Sequence, residues 1–408
     1  MRLIFINRFY WPETPATGQL LTDLAERLAA AGAEVAVITS HSGATNLPGR
    51  ERRNGVDLHR IRGTRWSSAR LVGKAVDFAT FSLGALARLH RLATRDAIVI
   101  ALTDPPLLGI GASWIARWRG ARTIHWIQDI YPELAIALAG QGWLRALRPL
   151  RNRAWRQADA CVTLGEDMTT LLADAGVDPA RRAVIPNWAP TGVTPPPAAE
   201  SEKLRAAWGL EGKFIVAYSG NLGRVHDLAP VLAAAEALRD EPEMAFLFVG
   251  GGPQRAALEA EARRRQLGNV SFREAQPRDQ LAASLAAAEV HLVTLRPGCE
   301  RLVFPSKLYG IAAVGRPVVF IGPPGCELAR LVAQQDLGAA VDRDDVPQIV
   351  AVLRALQRNP AQRARHREAA LRFATDHDVS SAVRRWRTLL DGLHACGTPR
   401  AAVKTLSA

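Results

Sequence analysis

The sequence predicts an α/β protein made of two doubly wound parallel-sheet domains. Three observations carry that prediction. A chain of 408 residues is too long for one ordinary core. Short apolar runs alternate with longer helical stretches, first over roughly the first 190 residues and again after about 212. Between the two series, four prolines fall in the eight residues from Pro190 to Pro197, a density that neither a central strand nor a helix tolerates.

The first series opens with a strand at Arg2–Ile6, then a helix over Gly18–Ala31 that Gly32 stops, then a strand at Glu34–Thr39. Further strands are expected at Val56–Ile61, Ala97–Ala101, Arg122–Ile127, Ala160–Leu164 and Ala183–Ile185. The second series places strands at Phe214–Ser219, Ala245–Val249, Asn269–Phe272, Val290–Thr294 and Pro317–Ile321. Repeated strand–helix–strand units of this kind imply parallel sheets with helices on both faces. The expected division is a first domain over 1–190, a proline-rich linker over 191–212 and a second domain over 213–375. One last helical stretch, about Ala361–Leu393, is expected to pack back on the first domain, with the terminal helix and tail assigned over 376–408. In such sheets ligands bind beyond the carboxyl ends of the strands, so two domains facing each other would share one cleft.

Composition narrows the class. The chain is 48% hydrophobic and 22% charged, with a formal net charge of +13. That excess suits nucleic acid, anionic lipid or a phosphorylated substrate, and charge alone does not choose among them. Four scattered cysteines, Cys161, Cys299, Cys326 and Cys396, form no CxxC pair, which favours a reducing compartment over a disulfide framework or zinc site. The N-terminus reads as a strand rather than a signal peptide. No run approaches the roughly 18 apolar residues of a spanning helix.

Three motifs lie just after strands of the second series. Tyr218-Ser-Gly-Asn-Leu-Gly-Arg-Val-His-Asp227 combines Gly220 and Gly223 with the cation Arg224. A following helix start and a guanidinium suit a diphosphate; a plain strand-to-helix turn needs glycines too. Phe248-Val-Gly-Gly-Gly-Pro253 repeats the pattern one unit later with Gly250 and Gly251. In Leu302-Val-Phe-Pro-Ser-Lys-Leu-Tyr-Gly310, Pro305 and Ser306 open a helix running from Lys307 to Val314. Amides near Phe304–Lys307 and the Lys307 ammonium then form a second anion site. No Asp-x-Asp pair for a metal accompanies these motifs, and none is expected.

These motifs, in this order, resemble the donor-binding half of glycosyltransferase family 4, in the branch that builds O-antigen and colanic acid type polysaccharides and includes fucosamine transferases. Arg8-Phe-Tyr-Trp-Pro-Glu-Thr14 followed by Gly18, Ala31–Thr39, His125-Trp-Ile-Gln-Asp-Ile-Tyr-Pro-Glu133 and Ile185-Pro-Asn187 extend the likeness over residues 1–390. The resemblance implies the GT-B fold of two Rossmann-like domains and retention of anomeric configuration. It also implies a nucleotide-sugar donor, with uridine diphosphate the expected carrier, as substrate rather than cofactor. Arg224 and Lys307 would meet the donor diphosphate, with Gly220, Asn221, Gly223, Gly250 and Gly251 shaping the loops. Phe304, Pro305 and Ser306 would hold phosphate or sugar, and Gly18 would let the first-domain loop close on the nucleotide. Two departures stand out. The family's paired glutamates fall on Leu302 and Gly310, which leaves Glu327 as a substitute, and Gln128 stands where a histidine is common.

In the first domain, Asp129 is expected either to orient the acceptor hydroxyl, as a third catalytic residue beside Arg224 and Lys307, or to cap a helix. Glu13 and Glu133 are the other candidate acceptor contacts, and His125 reads as a core histidine. Residues 142–156 pack five arginines and two tryptophans together, and Trp114–Arg119 and Arg65–Lys74 repeat the pairing. Such helices suit a headgroup layer over acidic lipid, and no nucleic-acid motif accompanies them. The expected acceptor is therefore a lipid-linked sugar, met by a cytoplasmic enzyme at the inner face of the membrane. The competing functions are a non-catalytic nucleotide-sugar-binding subunit and a nucleotide-sugar epimerase or hydrolase of the same fold.

Overall fold

The computed structural model describes residues 1–13, 15–41, 47–64 and 71–395, with 71, 72 and 74 as backbone only. Thr14, the Arg65–Arg70 part of the basic stretch, Cys396 and the rest of the tail lie outside the described residues. Two compact units emerge. The first holds Met1–Pro186, the short segment Arg301–Val303 and the terminal helix Val379–Ala395. The second holds Asn187–Glu300 and Phe304–Asp378.

The first unit is built on an eight-stranded sheet. Its strands are β1 (Arg2–Ile6), β2 (Glu34–Ser40), β3 (Arg50–Arg53), β4 (Val56–Ile61), β5 (Ala97–Ala101), β6 (Arg122–Trp126), β7 (Ala160–Thr163) and β8 (Arg182–Val184). Its helices are α1 (Ala16–Ala30), α2 (Leu71–Leu92), α3 (Leu108–Trp118), α4 (Glu133–Ala139), α5 (Arg148–Gln157) and α6 (Glu166–Asp174). The order is β3-β4-β2-β1-β5-β6-β7-β8, parallel throughout except for the hairpin β3–β4. Direction of winding reverses between β1 and β5, which is where a doubly wound sheet opens a crevice. The central strands are apolar on both faces: all of β5 and nearly all of β1 is buried, as a parallel sheet covered by helices requires. Strand β3 escapes the apolar pattern because it is an edge strand of sequence Arg-Glu-Arg-Arg. It is specified instead by the Asn54-Gly55 turn, with φ of 47° and 82°.

The second unit has a six-stranded parallel sheet: β9 (Phe214–Ser219), β10 (Met244–Val249), β11 (Val270–Arg273), β12 (Val290–Thr294), β13 (Val318–Ile321) and β14 (Gly338–Val341). Around it lie α7 (Ala198–Trp208), α8 (Ala229–Ala237), α9 (Arg255–Arg264), α10 (Leu281–Ala286), α11 (Lys307–Ala313), α12 (Glu327–Gln334), α13 (Val346–Arg358) and α14 (Pro360–Asp376). The order β11-β10-β9-β12-β13-β14 reverses between β9 and β12.

Three expectations change. Within the stretch read as linker, Ala198–Trp208 is a helix belonging to the second unit; the proline run ends at Pro197, the residue just before its first turn. The single last helix is two, broken at His377–Asp378, with α14 in the second unit and Val379–Ala395, α15, in the first. There α15 packs on α1, and Trp386 sets its edge against Trp126 at 5.0 Å. Finally, the segment Arg301–Val303 joins the first unit: the Ile130 N–H donates to the Leu302 carbonyl at 2.8 Å, and Val303 bridges Asp129. Leu302 is thus a buried residue of the first unit.

Candidate functional site

Each unit carries a polar cluster at the carboxyl edge of its own sheet.

In the second unit the glycine loops after β9 and β10 are stitched together. Gly220 donates to Val249 at 2.9 Å, and Leu222 to the Gly251 carbonyl at 2.8 Å. The packing leaves no room for side chains: a Cβ on Gly250 would lie 2.3 Å from the Gly220 oxygen. One on Gly252 would lie 2.5 Å from Asn221 Oδ1 and 2.7 Å from the Leu222 nitrogen. The two glycines take φ of 129° and 142°, where only glycine is comfortable. The helix expected after this motif starts at Ala229, and Asp227 accepts from the Ala229 N–H at 3.3 Å. The loop therefore does not run straight into an open helix end. Arg224 itself is exposed, and no side-chain hydrogen bond or ion pair engages it among the described residues.

Lys307 meets this loop from the other side. It opens α11, yet its chain turns back so that Nζ lies 3.5 Å from the centre of the Tyr218 ring. A Cβ on Gly220 would stand 3.7 Å from that nitrogen. The nitrogen is buried and has no hydrogen-bond partner among the described residues. Burial pushes its pKa well below the ordinary lysine value. His226 completes the cluster, edge-on to Tyr218 at 5.6 Å, with Nδ1 against the Thr294 carbonyl at 2.6 Å. Burial first, and the Lys307 charge second, hold it down to about 3, so it is neutral. Ser306 precedes Lys307 without a capping hydrogen bond. Pro305 is buried and Phe304 partly so, with its ring 6.2 Å from Tyr309. Glu327 opens α12 at the end of β13. Sequence reading missed Glu300, whose Oε2 is buried without a hydrogen-bond partner among the described residues. Its position two residues before Leu302 was the available signal.

In the first unit the cluster forms where β1, β5 and β6 end side by side. Arg8, after β1, forms an ion pair with Asp104, its Nε 3.0 Å from Oδ1, and its guanidinium lies 4.4 Å and 4.7 Å from the Phe9 and Phe78 ring centres. Asp129, after β6, keeps part of its surface open, and its backbone N–H donates to Thr103 Oγ1 at 3.2 Å. Crowding by protein, then the charge of Asp104, raises its carboxyl to about 7. It caps no helix: α4 starts at Glu133 with Pro132 before it. Arg8 and Asp104 were not singled out in the sequence; the position of Asp104, three residues beyond β5, was the clue.

One expected acceptor contact changes character. Glu133 is committed to Arg151, whose Nη1 and Nη2 reach its two oxygens at 3.0 and 2.8 Å, with Arg148 at 3.0 Å. Arg151 in turn is 4% exposed, donates to the Tyr131 carbonyl at 2.8 Å and lies 3.7 Å over the Trp155 ring. Arg151 and Trp155 are therefore core, not headgroup contacts. Glu13 sits in the turn after β1, its N–H donating to the Tyr10 carbonyl at 2.9 Å. Gly18 is buried inside α1, where a Cβ would lie 3.0 Å from Phe9 Cβ and 3.3 Å from the Tyr10 nitrogen; its absence lets α1 press against the loop that carries Arg8. His125 is a core residue as expected, held by Ser113 at 2.8 Å and brought by burial to about 4.

The exposed apolar residues gather on mutually packed elements. Trp114 and Trp118 on α3 are 70% and 64% exposed, Trp143 just before α5 is 73%, Leu83 on α2 is 69% and Leu150 on α5 is 52%. Exposed Arg117, Arg119, Arg145 and Arg153 accompany them. No acidic residue occurs in 108–119 or 142–157. Among the described residues, no helix is long and apolar enough to cross a membrane.

Comparison with known proteins agrees with this layout. Residues 17–188 match the glycosyl transferase 4-like domain, and residues 200–373 match glycosyl transferases group 1. WcaI of Escherichia coli (strain K12), assigned to colanic acid biosynthesis as a glycosyl transferase, is 30% identical over 400 residues, covering 93% of this chain and 98% of that protein. Among solved structures, sucrose-phosphate synthase from Thermosynechococcus elongatus superposes with a TM-score of 0.78 at 16% identity, over 97% of this chain and 100% of that one. Anabaena HepE in complex with UDP-glucose does so at 0.73 and 18%, over 97% and 100%. The chain belongs to the glycosyltransferases that join a 4-like domain to a group 1 domain in the GT-B fold.

Proposed function

We propose that this glycosyltransferase takes a sugar from a nucleoside-diphosphate donor held in the second unit and passes it to a lipid-linked acceptor in cell-surface polysaccharide assembly. The observation that carries the reading is Lys307: a buried side-chain nitrogen with no hydrogen-bond partner among the described residues, beside a glycine loop that also offers an unengaged Arg224. An isolated buried cation is costly. A diphosphate at this place would restore its charge and accept the hydrogen bonds that it lacks. The complex of HepE with UDP-glucose supports a uridine carrier, and WcaI supports a polysaccharide setting.

In the proposed reaction the acceptor oxygen bonds to the anomeric carbon while the bond from that carbon to the diphosphate oxygen breaks. The acceptor proton leaves with the diphosphate, and configuration is retained. Charge develops on the departing diphosphate, so Arg224 and Lys307 bind the transition state more tightly than the ground state. Asp129 orients the acceptor hydroxyl from the first unit. The exposed tryptophans with their arginines support peripheral contact with an acidic bilayer, where a lipid-linked acceptor resides.

The test is transfer from a panel of nucleotide sugars to polyprenyl-diphosphate-linked sugars in detergent, followed by product mass and nucleoside diphosphate release. One donor should turn over, with Arg224→Ala and Lys307→Ala each depressing the rate by about 100-fold or more. Full activity in both variants would remove the diphosphate assignment. Binding of a donor without turnover on any acceptor would favour a non-catalytic subunit.

A further inference from the structure

We propose that the Arg8–Asp104 pair acts through Asp129, setting the charge that Asp129 presents to the acceptor hydroxyl. The proposal rests on the reading of Asp129 as the acceptor-orienting acid and adds two residues to it.

The geometry comes from three adjacent strand ends. Strand β5 lies between β1 and β6, so the residues following each strand are neighbours. Arg8 is fixed by its own N–H donating to the Asp104 carbonyl at 2.9 Å, by its carbonyl accepting from Thr39 Oγ1 at 3.0 Å, and by the two phenylalanine rings against its guanidinium. Its guanidinium then pairs with Asp104, Nη2 donating to Oδ2 at 3.4 Å and Nε lying 3.0 Å from Oδ1. One residue before Asp104, Thr103 Oγ1 accepts from the N–H groups of both Gln128 and Asp129, at 3.3 and 3.2 Å. The Val303 bridge confines Asp129 from the opposite side. The turn that pins Asp129 is therefore the turn that presents the Asp104 carboxylate.

Charge follows from the same arrangement. Asp104 is the like-charged neighbour of Asp129. Arg8 opposes the effect of burial on Asp104 and favours its ionised form. The other titratable groups nearby do not compete: Tyr131 is pushed up by burial and stays neutral, and Glu133 is neutralised by Arg151 and Arg148. Burial still outweighs Arg8 and leaves the Asp104 carboxyl above the ordinary carboxylate range, so Asp129 faces a second acidic group, in surroundings that already disfavour its own ionisation. Its carboxyl titrates at about 7, so its capacity to accept a hydrogen bond from a hydroxyl changes across neutral pH. Above that value the carboxylate accepts from the acceptor hydroxyl; below it the protonated group does so poorly, and transfer falls.

The first arm of the experiment needs no acceptor. Protein labelled with carbon-13 at the aspartate carboxyls is titrated by NMR, with the Asp129 signal assigned from Asp129→Asn. In the wild-type protein this carbon should titrate near 7. In Asp104→Asn it should move to lower pH by roughly one unit, the scale of a lost like charge. Asp104→Ser, read the same way, covers the case in which the asparagine variant fails to fold. An unmoved Asp129 titration in a folded Asp104 variant overturns the proposal. A second arm records kcat/KM against pH with the donor found active: the acid limb should follow the NMR value in both proteins. Wild-type protein inactive with every donor would fail the functional reading and leave the NMR result standing, so the two failures are distinguishable.

Discussion

Replacing Arg151 by alanine should destabilise the first unit far more than replacing any neighbouring arginine. Its side chain is 4% exposed, and its partner Glu133 is 11% exposed. Removing one member of a buried ion pair costs about 3–5 kcal/mol, because the other charge is left unpaired. Here Arg148 remains 3.0 Å from Glu133, so that penalty is only partly incurred. The hydrogen bond to the Tyr131 carbonyl and the contact with the Trp155 ring are also lost, about 1–2 kcal/mol together. We therefore expect a loss of about 2–4 kcal/mol for Arg151→Ala. Exposed Arg145→Ala should change stability by no more than about 0.5 kcal/mol. Combining Arg151→Met with Glu133→Gln should recover part of the loss, since no charge is then stranded. Urea unfolding followed by tryptophan fluorescence reads this well, because Trp114, Trp118, Trp126, Trp143, Trp155 and Trp386 all belong to the first unit. An Arg151→Ala midpoint indistinguishable from that of Arg145→Ala would refute the assignment of Arg151 to the core.

The surface and the loops give two further expected outcomes. Trp114→Ser, Trp118→Ser and Trp143→Ser combined should release the protein from phosphatidylglycerol vesicles in cosedimentation, as should Arg117→Gln, Arg145→Gln and Arg153→Gln combined; retention of both variants would remove the membrane reading. Gly252→Ala should cost about 2–3 kcal/mol, given its φ of 142° and contacts of 2.5–2.8 Å with Asn221 and Leu222. Gly251→Ala, with nothing within 4 Å, should be nearly neutral in thermal unfolding.

Much of the fold was legible because central strands of a parallel sheet are apolar on both faces and stand out as runs. Strand β3 was not, since its partners are found by a two-residue turn rather than by hydrophobicity. The proline run ending at Pro197 was legible as a break, but helix α7 directly behind it was not: proline just before a first turn starts a helix as readily as it prevents one. Arg224 stood out in the sequence as a cation beside strand-end glycines, and Lys307 as a cation opening a helix after Pro305 and Ser306. The convergence of Lys307 on Tyr218 was not, since it depends on a side chain turning back across α11's first residue. Arg151 and Arg153 look alike in sequence, and only packing separates the buried one from the exposed one. Asp104 was overlooked for a similar reason: its role depends on Arg8, 96 residues earlier.

The central claim is that Lys307 waits for a diphosphate. Its most direct test is thermal unfolding of the wild-type protein and Lys307→Met with free nucleoside diphosphates and nucleotide sugars. Ligand at 100 times its Kd stabilises the native state by about 2.7 kcal/mol, so one nucleoside series should raise the wild-type Tm clearly. Without ligand, Lys307→Met should be at least as stable as the wild-type protein, because a buried group lacking a partner has been removed, and no nucleotide should shift it. A Tm rise of equal size in both proteins, or none in the wild-type protein with any nucleotide, would contradict the account.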